Sequence, residues 1–365
     1  MQPFLLIFSL VITLQLVFVL SLALSILKHS SKADIRFKSV SVIVAARNEH
    51  KNLPHLLNAL TTQNHPNFEV IIANDRSTYE SQQLLTNWSS KYSFIKVIDI
   101  KTLPQGWTGK KFALNEAISK ASNEVLLFTD ADCVPDSENW ISSMTSYVNN
   151  ESEIIIGYSP YRQTKGWLNR FIQFETLFVG LQYLGFAKLK RPYMAVGRNL
   201  AILKEAYDLD FLKSIGGLEG GDDDLMLSHL AQKRKQIDIE ISPESLVFSS
   251  PKTDTNSYLR QKIRHLSAGK HYHQKDQTLL GIFTLSWLVG WGMFISVIFL
   301  GINIKFALLV FGIRSLVVYL ILNQLGRKLK TDINFWALPF LDFCYCFYYP
   351  WVAIKALATK QVEWK

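Results

Sequence analysis

The chain has 365 residues, of which 48% are hydrophobic and 13% aromatic, enough for one large domain or two ordinary ones. The apolar residues gather at the two ends, which indicates membrane segments and excludes an oversized soluble core as their explanation. The formal charge of +9 is dispersed or sits beside the apolar runs, as at Lys28, Lys32, Arg36 and Lys38. That is the pattern of a membrane flank facing anionic lipid, so no nucleic acid is expected as a partner.

Residues 4–27 carry no charge and are long enough to span a bilayer. The first three residues have no charged side chain and the bases follow the run, so a retained anchor over residues 1–28 is expected rather than a cleaved leader. Its C-terminal flank would then face the cytoplasm at the cell (inner) membrane.

From residue 39 the texture is α/β. Short buried-strand runs lie at residues 41–46, 69–73, 95–98 and 125–128. Helical patterns separate them: Leu53, Leu56, Leu57 and Leu60, then residues 80–91 and 112–122. Strands alternating with helices predict a parallel sheet with right-handed crossovers. Polar residues recur just past the strand C-termini, where such sheets bind ligands.

Residues 167–189 are apolar but interrupted by Arg170, Glu175 and Lys188, which suggests a helix lying at the membrane interface. From residue 279 two spans are expected, 279–304 and 306–325, then a third apolar run at 335–356 holding Asp342, Pro339 and Pro350. A full third span would put Lys355, Lys360 and Lys365 outside, against the positive-inside rule. A re-entrant or interfacial segment removes that conflict. The three cysteines, Cys133, Cys344 and Cys346, show neither metal-ligand nor disulfide spacing and are expected to be reduced and non-catalytic.

Three constellations carry chemistry. Asp130 and Asp132 follow the strand at 125–128, and two carboxylates at i and i+2 can share a hard cation, Mg2+ or Mn2+, with phosphate oxygens. The plain alternative is an Asp-rich turn. Asp222, Asp223 and Asp224 follow Gly220-Gly221 at the head of a helical pattern, where either a solvated tip or helix-start electrostatics would suit them. Finally Gln261-Lys262-Ile263-Arg264-His265 offers a guanidinium for a diphosphate, or simply a basic helix flanking the membrane.

In this order and spacing these elements resemble the family 2 glycosyltransferases of the GT-A fold, a nucleotide-diphospho-sugar transferase domain of Rossmann-like α/β type. The resemblance covers roughly residues 39–275, with N-terminal and C-terminal transmembrane helices outside it. The opening motif is Ser41 to Glu49. Asp75 matches the nucleotide-contacting carboxylate, and Gly109-Lys110 the donor-site lysine segment. Asp130-Ala131-Asp132 matches the metal pair, and Gly197-Arg198-Asn199-Leu200-Ala201 the loop facing donor sugar and acceptor. Gly221-Asp222 aligns with the acid motif and Gln261 to His265 with the Gln-x-x-Arg-Trp motif.

The resemblance implies a nucleotide-sugar donor contacted by Ala46, Glu49, Asp75, Lys110, Asp130, Asn199, Gln261 and Arg264. It implies a metal on Asp132 and Asp130, and an inverting displacement with Asp222, or alternatively Asp223, as base. Two positions depart from the family: Gly221 replaces an acidic residue, and His265 replaces the tryptophan that stacks a growing polymer. The second favours transfer of one or few sugars over processive synthesis, to an acceptor in or linked to the membrane such as a carotenoid, glycolipid or polyprenyl-linked lipid. A processive synthase and a non-catalytic membrane sensor or scaffold for nucleotide-sugars are the alternatives. A transporter fits less well, because the spans are few and largely free of paired intramembrane charges.

Overall fold

The computed structural model describes residues 2–29, 37–149 and 152–359. Of the expected flanking bases, Lys32, Arg36, Lys360 and Lys365 lie outside the described residues. The chain divides into a helical unit, the described parts of Met1–His29, Gln163–Leu189 and Lys252–Lys360, and a sheet unit from Ser30–Arg162 and Lys190–Pro251.

In chain order the elements begin with α1 (Gln2–Leu27), β1 (Val40–Ala46), α2 (Leu53–Thr61), β2 (Phe68–Asp75), α3 (Tyr79–Lys91) and β3 (Ile95–Ile100). They continue with α4 (Gly109–Lys120), β4 (Val125–Phe128), β5 (Cys133–Pro135), α5 (Trp140–Thr145), β6 (Ile154–Gly157) and α6 (Trp167–Lys188). Next come β7 (Leu200–Leu203), α7 (Leu209–Ser214), α8 (Asp224–Gln232), β8 (Ile237–Glu240) and β9 (Val247–Ser249). The chain ends with α9 (Thr255–Ser267), α10 (Gln274–Leu300), α11 (Ile304–Lys328) and α12 (Leu338–Ala358).

In the sheet unit every residue of β1 and β4 is buried, which is why both read as unbroken apolar runs rather than alternating ones. Helix α2 buries Leu53, Leu56, Leu57 and Leu60, one face at helical spacing. The main sheet has the order β3-β2-β1-β4-β7-β6-β8. The expected parallel arrangement holds for β3, β2, β1 and β4, with Val42 opposite both Val70 and Leu127. It fails beyond β4, because β7 runs antiparallel to both β4 and β6. The chain builds β2 and β3 on one side of β1 and returns to the other side for β4. The C-terminal ends of β1 and β4 therefore flank a topological switch point, the usual ligand crevice of an α/β sheet.

At the opposite edge of these strands Glu69 ties the sheet together. Its carboxylate accepts from Ser41 Oγ at 2.6 Å, from Ser122 N and Oγ at 2.8 Å each, and from Lys96 Nζ at 2.6 Å. Burial alone would raise its pKa, but Lys96 and the two serines hold it down, from 4.5 to about 2.

Three helices of the helical unit, α1, α10 and α11, are long and apolar enough to cross a membrane. Helix α6 is one continuous helix with most of its side chains buried, including Glu175. That carboxylate accepts from Tyr258 Oη at 2.9 Å and pairs with Lys262 Nζ at 2.5 Å, so a charge that interrupts the apolar pattern is neutralised by α9. At Gly185 a Cβ would meet Leu22 Cβ at 2.7 Å, so the small residue lets α1 and α6 approach closely.

The helices hold more paired charge than expected. Arg314 of α11 and Asp342 of α12 are both almost fully buried and form an ion pair. Asp342 also accepts from Trp287 Nε1 at 2.9 Å and Trp291 Nε1 at 3.0 Å, while Arg314 Nε donates to Gln15 Oε1 at 2.8 Å. One carboxylate and one guanidinium thus join α1, α10, α11 and α12. The sequence hides the pair because its members stand 28 residues apart, on different helices.

Glu69→Gln is expected to lose the pH-dependent part of the wild-type stability. Because the folded pKa of Glu69 is depressed, its contribution of about 2 kcal/mol is present above pH ~5 and fades as pH falls toward 2. The stability gap between wild type and variant, followed by denaturant unfolding at a series of pH values, should close over that window. Arg314→Leu should cost about 3–5 kcal/mol by stranding the Asp342 carboxylate. The double variant Arg314→Leu/Asp342→Leu, measured in the same detergent, should recover most of that loss.

Candidate active site

The crevice at the β1/β4 switch point is lined by Ala45, Lys110, Phe128, Thr129, Asp130, Gly197, Tyr207, Asp222 and Asp223, among others. Asp130 follows β4 by two residues, as the buried strand hands over to polar chain. Lys110 stands in the first turn of α4 and its ammonium bridges two carboxylates, Asp130 Oδ1 at 3.1 Å and Asp222 Oδ2 at 3.0 Å.

The acidic run is delivered by its own glycines. Gly220 and Gly221 both take positive φ, 72° and 73°, a left-handed pair that residues with a Cβ rarely adopt. Lys111, almost fully buried, donates to the carbonyls of Leu218 and Gly220 and fixes this loop from behind. Asp223 caps α8, accepting from Asp224 N at 2.9 Å, and accepts from Gly197 N at 2.6 Å. A Cβ at Gly197 would sit 2.9 Å from Asp223 Oδ2, so glycine permits this approach. The helix-cap position therefore belongs to Asp223, whose carboxylate accepts from the first N–H of the helix, that of Asp224.

The two neighbouring carboxylates titrate apart. Burial alone would raise Asp222, but Lys110 and Lys111 overcome it and hold the carboxyl below its usual range. Asp223 is pushed up to about 6, first by burial and then by the charge of Asp222. Burial would lower Lys110, yet Asp130, Asp222 and Asp223 keep its ammonium firmly protonated.

The remaining predicted residues fall in several places. Ala46 is buried at the end of β1, and Glu49 in the following loop accepts from Asn52 Nδ2 at 2.6 Å. Asp75, fully buried at the end of β2, is clamped by Arg76 through Nε at 2.7 Å and Nη2 at 2.8 Å. Asn199 is fully buried; its Nδ2 donates to the carbonyls of Tyr158 and Ser245 and its Oδ1 accepts from Trp140 Nε1, so its amide is spent on the framework. Gln261 and Arg264 sit on α9 of the helical unit. Sequence reasoning missed Lys111 and Tyr207. Lys111 was signalled only by a doubled lysine, and Tyr207 by nothing local; its ring stacks on Phe128 at 5.7 Å.

Asp130 and Asp132, together with Cys133 Sγ, bring one ligand atom each within 4.8 Å of one another. Cys133 is buried and its thiol is held well above its normal pKa by burial and then by the two carboxylates, so it stays a neutral thiol. The donor set is two hard oxygens, which fits Mg2+ or Mn2+ and not a thiolate-seeking metal. That Asp130 already holds one cation, the Lys110 ammonium, shows the position attracts positive charge.

Comparison with known proteins places this geometry. Residues 41–209 match the family described as glycosyl transferase family 2. The chain is 30% identical over 183 residues to a probable glycosyltransferase, YdaM, of Bacillus subtilis, covering 49% of this chain and 42% of that one. It is 28% identical over 149 residues to a 4,4'-diaponeurosporenoate glycosyltransferase of Staphylococcus aureus, covering 40% and 38% respectively. The chain thus spans about two fifths of the length of the curated relatives it matches. In fold it is similar to the mannosyltransferase PcManGT of Pyrobaculum calidifontis, solved with GDP-Man and Mn2+, at a TM-score of 0.56 and 14% identity over 93% of this chain and 99% of that one. The sheet unit has the GT-A fold, and residues 41–209, which lie within it and beyond it, carry the match to glycosyl transferase family 2.

Proposed function

We propose that this protein transfers a sugar, with inversion, from a nucleotide-sugar donor to a lipid or lipid-linked acceptor at the membrane. The observation that carries the reading is the crevice itself: Asp130, Lys110, Asp222 and Asp223 converge at the β1/β4 switch point of a family 2 chain. The catalytic part is assigned to residues 39–275, with an anchor at 1–28 and membrane or interfacial segments at 279–356. The long apolar helices α1, α10 and α11 support a membrane setting, in which the acceptor would be drawn from the bilayer. A relative named for 4,4'-diaponeurosporenoate and a neighbour solved with GDP-Man point the same way for acceptor and donor.

Asp132 and Asp130 would hold Mg2+ or Mn2+, which supplies charge neutralisation to the donor's diphosphate when bound. The chain's own groups would do the rest. Asp222 would take the proton of the acceptor hydroxyl as its oxygen attacks the anomeric carbon. The bond from that carbon to the diphosphate oxygen breaks, and the nucleoside diphosphate leaves with the electron pair. Lys110 lies beside Asp130 to meet the charge that builds on the departing phosphates. Asp222 is preferred over Asp223 as base because Asp223 spends its oxygens on two backbone N–H groups, whereas Asp222 Oδ2 is held by a flexible ammonium.

Asp222→Asn should lower the transfer rate by about a hundredfold or more, the usual scale for losing a general base, with little change in nucleotide affinity. Normal transfer by Asp222→Asn beside a dead Asp223→Asn would move the base to Asp223, whose raised proton affinity suits that alternative. Full activity in both variants would remove the acidic run from catalysis. The catalytic part is also expected to face the cytoplasm. A cysteine placed at the exposed Gln83 on α3 should then resist an impermeant maleimide in intact cells and react after permeabilisation.

A further inference from the structure

Among the described residues, Lys110 is in direct contact with both ends of the crevice. Its ammonium lies 3.1 Å from Asp130 and 3.0 Å from Asp222. The other nearby cations are committed elsewhere. Lys111 is fixed on the carbonyls of Leu218 and Gly220, and Arg198 donates to Ser159 O at 3.1 Å and Tyr161 Oη at 3.0 Å. Lys110 has a flexible stem, a partly exposed side chain, 23% accessible, and bonds to carboxylates rather than to the framework.

We propose that Lys110 is a displaceable counter-ion: it competes with the divalent cation for Asp130 and caps Asp222, and a nucleoside diphosphate draws it off both. The inference rests on the donor class proposed above and adds a coupling between the sites that the reading does not require. With Lys110 on Asp130, a divalent cation must displace an ammonium before it can share that carboxylate. A diphosphate offers the ammonium a better partner, because several anionic oxygens replace one. Each ligand therefore lowers the cost of binding the other, and by linkage the effect is reciprocal. The same movement releases the Asp222 oxygen only when the donor is in place, so base and leaving group are readied together.

The test is Mn2+ binding to the full-length protein in detergent, read by the EPR signal of free Mn2+, alone and with saturating GDP or UDP. Wild type should bind Mn2+ weakly alone and at least about tenfold more tightly with nucleotide. Lys110→Gln should tighten Mn2+ alone by about tenfold, the scale of removing one charge a few ångströms away, and shrink the nucleotide effect by the same factor. Lys110→Met provides the same comparison should the glutamine variant not fold. Lys110→Arg keeps a contacting cation, and Arg198→Gln removes a charge that reaches Asp130 without bonding it. Both should stay within about threefold of wild type. The proposal is overturned if Lys110→Gln and Lys110→Met leave Mn2+ affinity unchanged. It is equally overturned if Arg198→Gln or Lys110→Arg tightens it as much, since diffuse charge or mere size would then explain the effect. Wild type that binds neither GDP nor UDP with Mn2+ and transfers no sugar would overturn the donor reading itself. Wild-type binding and transfer beside an indifferent Lys110→Gln would overturn only the coupling.

Discussion

Three carboxylates, Asp130, Asp222 and Asp223, share one crevice, and the Lys110 ammonium between two of them is what allows that arrangement to persist. Like charges this close repel unless a cation, a proton or backbone dipoles answer each one. Lys110 answers Asp130 and Asp222, while the N–H groups of Gly197 and Asp224 and a raised proton affinity answer Asp223. The neighbouring architecture serves this balance. Strand β4 places Asp130, α4 places Lys110, Lys111 braces the loop at 218–220, and two left-handed glycines turn the chain into Asp222.

The first half of the sheet was legible from sequence because its strands are buried on both faces and read as apolar runs, as in Val42-Ile43-Val44 and Val125-Leu126-Leu127. Strand β7 is not among the strands read from the sequence, where residues 197–201 resemble a loop, and its direction is no more legible. Direction is set by where the chain returns after a long excursion, and β7 pairs antiparallel with β4 through contacts some 75 residues apart. The closeness of Asp130 and Asp132 was legible from their spacing, whereas Lys110 stood out only through the family resemblance. The use of Asn199 was not. The same loop that looks aimed at a ligand turns its amide inward to Trp140 and two carbonyls. Lys111 was hidden for the opposite reason: a lysine is normally a surface residue, and only the fold reveals that carbonyls receive it.

The helical unit repeats the lesson with charge. Glu175 and Asp342 each look like a defect in an apolar segment, and each is the acceptor that joins helices distant in sequence. Hydropathy marks α1, α10 and α11 well because their outward faces are simply apolar. It says nothing about which buried polar groups find one another, since that depends on packing rather than composition.

The reaction itself is the most direct measurement of this protein's chemistry. Membranes containing the protein, supplied in turn with radiolabelled GDP- and UDP-sugars and a divalent cation, should pass label from at least one donor into a lipid extract. The sugar on that lipid should carry the opposite anomeric configuration to the donor when read by NMR coupling constants. A lipid product with retained configuration would contradict the single displacement, and label entering no lipid from any donor would contradict the proposed transfer.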